Sequence, residues 1–238
     1  MIEIAAEVSS PNYAWVWPFS RTLLATFAGA AVAILLQNWR DKLNRKTAEV
    51  AVLNRTTIAL GQMQNELINY RQQAIEPFLD THVPFIDMQP MIIGNLTHLR
   101  LHADDFVFLC ETEHRQVPLQ VGNTDLIFIR AAAAIETRTN YHMKEFQPRL
   151  ASAFERSETP TVEEIQQKIG VVPVTMLRSH TDAMQLYVDE ALKQIDKCIA
   201  LLKKTGKAIY GKGRVITIER ISPTAIKPSN SQERQQGD

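Results

Sequence analysis

Cysteine is nearly absent, at two in 238 residues. That excludes a small secreted scaffold built on disulfides. Glycine is scarce, at nine residues, too few for a Gly-rich nucleotide fold or a turn-rich sandwich. Neither sign of charge dominates, with 26 basic and 26 acidic residues. A surface driven onto nucleic acid by its overall charge is therefore not expected. The short signatures of catalysis are missing as well. There is no GxSxG, no CxxC, and no Gly-rich dinucleotide turn after a strand. What is present is an apolar content of 45%, enough to bury a core and too high for a chain disordered throughout. The length suits one sizeable domain, or a domain with an anchor and a tail.

The balanced total hides an uneven distribution. Residues 1–79 carry 7 basic and 6 acidic groups, residues 80–200 carry 11 and 17, and residues 201–238 carry 8 and 3. The C-terminal end is thus a distinct basic segment, and a second basic cluster follows the first apolar run.

That run is the strongest feature of the chain. Thr22 to Leu36 reads TLLATFAGAAVAILL, fifteen residues without a charge. Extended through Gln37, Asn38 and Trp39, it makes roughly 27 Å of helix at 1.5 Å per residue. That nearly matches a hydrocarbon layer of roughly 30 Å. Trp15, Trp17 and Trp39 lie at the two ends, where indole rings favour the headgroup level. Pro18 suits a first helical turn, and Arg21 is close enough to that end to snorkel outward. A transmembrane helix is expected over residues 19–39. Residues 1–20 carry Glu3 and Glu7 and no Lys or Arg, whereas Arg40, Lys42, Arg45 and Lys46 follow the span. The positive-inside rule then leaves residues 1–18 outside and the C-terminal bulk in the cytosol, as for a single-pass inner-membrane protein. The acidic start fits a cleaved signal peptide poorly. The bland alternative is a core helix, apolar all round. Ala25, Gly29 and Ala33 form a small-residue face through which two spans would pack.

Beyond the span the pattern is helical. Leu53, Leu60, Leu67 and Ala74 repeat at seven, and Thr56, Met63 and Tyr70 fill the position three further on. One long helix is predicted to run to near Ile75, where Pro77 stops it, with a break near Trp39 to Leu43. Short helices are expected around Met91 to Leu101 and from Asp104 or Asp105 as cap. Thr124 or Asp125 is predicted to cap the next long helix. Its face is Phe128, Ala132, Ile135, Thr139, His142, Phe146 and Leu150, and Pro148 marks a kink or end. Thr161 and Glu164 have the spacing of a capping box, opening a short helix to Lys168, with Gly170 and Pro173 as its break. The last helix has the cleanest repeat: Val174, Thr181, Val188, Ile195 and Leu202, with Leu177, Met184, Ala191 and Cys198 between them. Gly206 is its expected stop. This stripe reads as the core of an antiparallel bundle over residues 40–212, in preference to an exposed coiled-coil face. Residues 213–238 read as a short strand-like segment, RVITIERI, and a disordered polar tail.

Possible chemistry is thin. His98 and His102 are four apart, and Cys110 and His114 repeat that spacing, a set able in principle to ligate zinc. The spacing matches no zinc motif, so no metal, cofactor or catalytic residue is assigned. GKAIYGK at 206–212 lacks the Ser/Thr of a phosphate loop and follows a helix, so it is rejected as one. Lys203, Lys204, Lys207, Lys212 and Arg214 read as a solvated basic helix end that also suits anionic lipid. Cys198 and His142 lie on apolar stripes and are expected to be core residues.

The LLQNWRDKLNRK of residues 35–46, the DDFVFL of 104–109 and the IRAAAAIETRTNYH of 129–142 resemble a broad set of uncharacterised bacterial single-span membrane proteins with a cytosolic helical domain. The likeness covers residues 20–150. It implies a membrane-anchored, mainly α protein and brings no catalytic residues with it. The expected role is a non-enzymatic interaction or sensing module. Its partners would be the lipid bilayer, an unidentified protein, and a second copy in a homodimer, with no nucleic acid. Two alternatives stand beside it. One is a metal-dependent enzyme using His98, His102, Cys110 and His114. The other is an envelope-spanning structural coiled-coil protein.

Overall fold

The computed structural model describes residues 16–91, 99–154, 160–211, 213, 214 and 216, with backbone alone for 16–20 and 22. Every element among them is helical. The six α-helices are α1 (Val16–Tyr70), α2 (Pro84–Asp87), α3 (Gln116–Tyr141), α4 (Gln147–Ala153), α5 (Val162–Ile169) and α6 (Val171–Tyr210). By contacts the chain divides into two units, Met1–Glu49 and Val50–Asp238.

The first unit is described from Val16 as a single stretch of helix with no break near Trp39 to Leu43. The predicted interruption is therefore absent. From Thr26 to Leu43 the chain lacks both Pro and any run of β-branched residues, so nothing opposes i→i−4 bonding. Leu24, Phe27, Val32, Ile34, Leu35 and Leu36 are all exposed.

The second unit is organised around three long segments. The predicted stripe of α1 is buried from Leu53 through Tyr70, and every residue of the predicted α6 stripe is buried. One core joins Leu60, Met63 and Leu67 of α1, Val121, Phe128 and Ile135 of α3, and Met184, Val188 and Ile195 of α6. Polar contacts fix the register. Gln64 Nε2 donates to Asp196 Oδ1 at 2.5 Å, and Arg71 Nη1 to Asp189 Oδ1 at 3.0 Å. As residues 64–71 advance, α6 recedes by the same seven positions, so the two run in opposite directions. Gln120 meets Gln194 at 3.1 Å and the Tyr141 hydroxyl meets the Pro173 carbonyl at 3.3 Å, so α3 also opposes α6. A second, smaller core gathers Val83, Phe85, Phe146, Ile165, Val174 and Leu177.

Both long helices that precede a proline widen before it. A π turn over Arg71–Ile75 ends two residues before Pro77, and another over His142–Phe146 ends two residues before Pro148. A proline ring crowds the carbonyl four residues back and supplies no N–H. A wider turn moves that carbonyl aside and lets the helical course continue. The helix therefore does not stop at Ile75 but passes into a 3₁₀ turn at Glu76–Phe78, and α4 carries Pro148 in its first turn.

Several predicted boundaries shift. α3 starts at Gln116, not at Thr124 or Asp125, and α6 starts at Val171, directly after Gly170, so that Pro173 lies inside it and does not mark a break. Pro118 and Pro173 thus lie in first turns, where the N–H they lack has no intrahelical partner anyway. Gly206 is buried inside α6, and the helix ends at Gly211, whose φ of 85° suits glycine. Asp104 and Asp105 lie in the first turn of a 3₁₀ helix, Ala103–Leu109, with neither capping it. The helix expected at Met91 to Leu101 falls mostly outside the described residues, and Leu99 and Leu101 are not helical. The capping box is present: Glu164 N–H donates to Thr161 Oγ1 and Thr161 N–H to the Glu164 carboxylate. Most of the strand-like segment and all of the remaining tail lie outside the described residues. Arg214 and Ile216 are gripped by one side chain. Asn54 Nδ2 donates to the Arg214 carbonyl at 3.3 Å, and its Oδ1 accepts from Ile216 N–H at 2.9 Å.

Candidate functional site

The sequence offers two candidate places for function, the exposed apolar helix and the Cys/His set. The structure adds a third inside the core.

The apolar helix is long and apolar enough to cross a membrane. None of its apolar stretch is buried among the described residues. Directly after it, Trp39, Lys42, Leu43, Arg45, Lys46 and Glu49 line an open groove on α1. Arg45 is tied to Glu49 at 3.1 Å, one turn on.

The Cys/His set does not assemble among the described residues, where no group of three His, Cys, Asp or Glu side chains is placed to hold a metal. His98 lies outside those residues. His102 precedes the 3₁₀ helix and Cys110 follows it, and both are exposed. His114 faces Glu113 at 3.5 Å. The other thiol, Cys198, is buried against Thr124 in α3. Burial pushes it up to about 11, with the Thr124 hydrogen bond opposing that rise. A thiol held there is not a nucleophile at neutral pH.

The third place centres on Arg138. It is 1% exposed, the largest of the fully buried side chains, and has no carboxylate partner among the described residues. Its Nη2 donates to the carbonyls of Met88 and Phe85, at the end of α2. Next to it, Thr139 Oγ1 donates to the Met91 carbonyl at 3.2 Å. This end of α3 thereby supplies donors to the irregular segment after α2, whose carbonyls would otherwise be unsatisfied. One turn further, His142 is buried, with its Nδ1 lacking a partner, as does Arg138 Nε. Burial, and then the neighbouring Arg138 charge, bring His142 down to about 4. Burial lowers Arg138 itself, and Tyr70 opposes that shift. Tyr70 closes the cluster from α1. Burial raises it to about 12, Arg138 opposes that rise, and its hydroxyl donates to Met184 Sδ at 2.9 Å.

The cluster is a polar brace and presents no nucleophile or general acid to solvent. His142 was expected in the core; Arg138 was not. Its position was visible, because it falls three after Ile135 and four before His142 on the buried face of α3. Asp125, expected as a cap, is instead a buried anchor inside α3. It accepts from Arg100 Nε at 3.1 Å and from the Leu101 backbone N–H at 2.9 Å. The GKAIYGK segment is helical through Tyr210, which does not leave the open loop that cradles phosphate.

No protein-family model, no curated protein and no solved structure matches this chain.

Proposed function

We infer that the chain is a single-pass, membrane-anchored helical interaction or sensing module, without enzymatic activity of its own. Residues 19–39 form the span, and the helical bundle faces the cytosol. The observation that carries this reading is the exposure of Leu24, Phe27, Val32, Ile34, Leu35 and Leu36 on one helix, with none of that apolar stretch buried among the described residues. Exposed apolar surface on this scale is covered by lipid or by another protein, and a run of this length fits lipid. The acidic start and the Arg40, Lys42, Arg45, Lys46 cluster support the inward orientation of the C-terminal bulk. A non-catalytic role is favoured by what the core contains. Its titratable groups are sequestered, and its buried guanidinium is spent on backbone carbonyls.

α1 supplies both the apolar stretch and, from Leu53, one wall of the core. Partner binding is assigned to exposed helix faces or to the basic end of α6, where Lys203, Lys204 and Lys207 are exposed.

Fractionation of cells expressing the full chain tests the reading. The chain is expected to sediment with membranes, to resist an alkaline carbonate wash and to be released by detergent. A monomer in the supernatant without detergent overturns it. A reporter fused after Asp238 reads sidedness, with activity expected in the cytosol.

A further inference from the structure

Along one face of α1, residues recur at spacings of three and four: Val32, Leu35, Leu36, Trp39, Lys42, Leu43 and Lys46. Val32, Leu35, Leu36, Trp39 and Leu43 are 55%, 67%, 59%, 63% and 44% exposed. At 3.6 residues per turn these positions stack into a single line. The line is purely apolar up to Leu36, then carries an indole, and then two ammonium groups flanking a leucine. Trp39, Lys42, Leu43 and Lys46 all line the same open groove. Within it the one carboxylate and the arginine differ from the lysines. Glu49 is engaged by Arg45, whereas no ion pair among the described residues engages Lys42 or Lys46.

We propose that this face is a binding site for one anionic phospholipid of the bilayer, with its acyl chain along Val32, Leu35 and Leu36 and its phosphate between Lys42 and Lys46. The inference rests on the membrane reading given above and goes beyond it by naming a ligand class and its residues. Charge complementarity selects the occupant. An indole over the glycerol level with two cations one turn apart suits a phosphodiester carrying net negative charge better than a zwitterionic headgroup, whose own cation the lysines repel. The order of the residues matters as much as their charge. Leu36 and Lys46 are separated by ten residues, about 15 Å of helix, which places the ammonium groups at headgroup depth when the leucines lie among acyl chains.

The test uses the full chain in detergent, titrated with phosphatidylglycerol or phosphatidylcholine and read by native mass spectrometry. Phosphatidylglycerol is expected to bind about thirtyfold more tightly, the scale set by two cations near an anionic surface. The Lys42→Gln, Lys46→Gln double variant is expected to lose that preference. A Lys203→Gln, Lys204→Gln variant on α6 is expected to keep it. The soluble headgroup glycerophosphoglycerol is expected not to displace the lipid. Equal affinity for the two lipids, an undiminished preference in the Lys42/Lys46 variant, or displacement by the soluble headgroup overturns the site. Failure here with a chain that still sediments with membranes sinks the lipid site alone. A chain that remains soluble without detergent sinks the anchor and the lipid site together.

Discussion

The Arg138 guanidinium donates to the Met88 carbonyl from inside the core, linking the C-terminal part of α3 to the segment that leaves α2. A cation buried without a carboxylate is costly. Here the cost is offset by satisfying carbonyls that have no helix or strand to pair with. Replacing Arg138 with Ala opens a cavity and orphans the Phe85 and Met88 carbonyls together. Together these are expected to destabilise the chain by about 3 kcal/mol or more. Thermal unfolding of the detergent-solubilised chain, followed by circular dichroism, measures it. Arg138→Lys, which retains one donor, is expected to lose less. Equal stability of the Ala variant and the parent would remove the brace from this account.

His142 makes the same region acid-sensitive. Its folded pKa, about 4, lies below the ordinary value of 6.5 because burial and Arg138 both disfavour the imidazolium. The unfolded chain therefore binds the proton more readily. The stabilisation is complete above pH 6.5 and is lost as pH falls from there toward 4. The full loss amounts to about 3 kcal/mol. Denaturation midpoints measured between pH 7 and pH 4 are expected to fall more steeply for the parent than for His142→Phe. Parallel pH profiles for the two proteins would show that His142 does not drive the effect.

The two thiols should separate cleanly. Cys110 is exposed and Cys198 is buried with its thiol raised to about 11. At pH 8 a maleimide is expected to modify one thiol per folded chain and two per unfolded chain. Peptide mapping should find the native label on Cys110. Labelling of Cys198 at the same rate in the folded chain would mean that α3 and α6 part in solution.

Charge placed in the apolar run tests the anchor without touching the core. Phe27 is 66% exposed and lies within the proposed span. Phe27→Asp is expected to oppose insertion by about 3 kcal/mol. It should shift a substantial share of the chain out of the carbonate-resistant membrane fraction. The helix content of the second unit is expected to be retained, because its core residues begin at Leu53. An unchanged membrane fraction for Phe27→Asp together with Val32→Asp would argue that protein, not lipid, covers this helix.

The sequence alone determined what is periodic. The seven-residue repeats of α1 and α6 translate directly into buried faces, because a helix places residues three and four apart on one side whatever it packs against. The Thr161–Glu164 cap was equally legible, since both of its bonds form within four residues. The exposed apolar run and the basic residues after it are likewise properties of the chain order. Only the tertiary structure decided where helices begin and end near prolines. Pro118 and Pro173 were compatible with a break or with a first turn, and the burial of Val121 and Val174 selects the first turn. Tertiary structure also decided the roles of Arg138 and Asp125. Their partners, Met88 and Leu101, belong to irregular segments 50 and 24 residues away. No local pattern encodes which carbonyl or N–H such a segment leaves unpaired, because that need arises only when the segment is packed against a helix and removed from water.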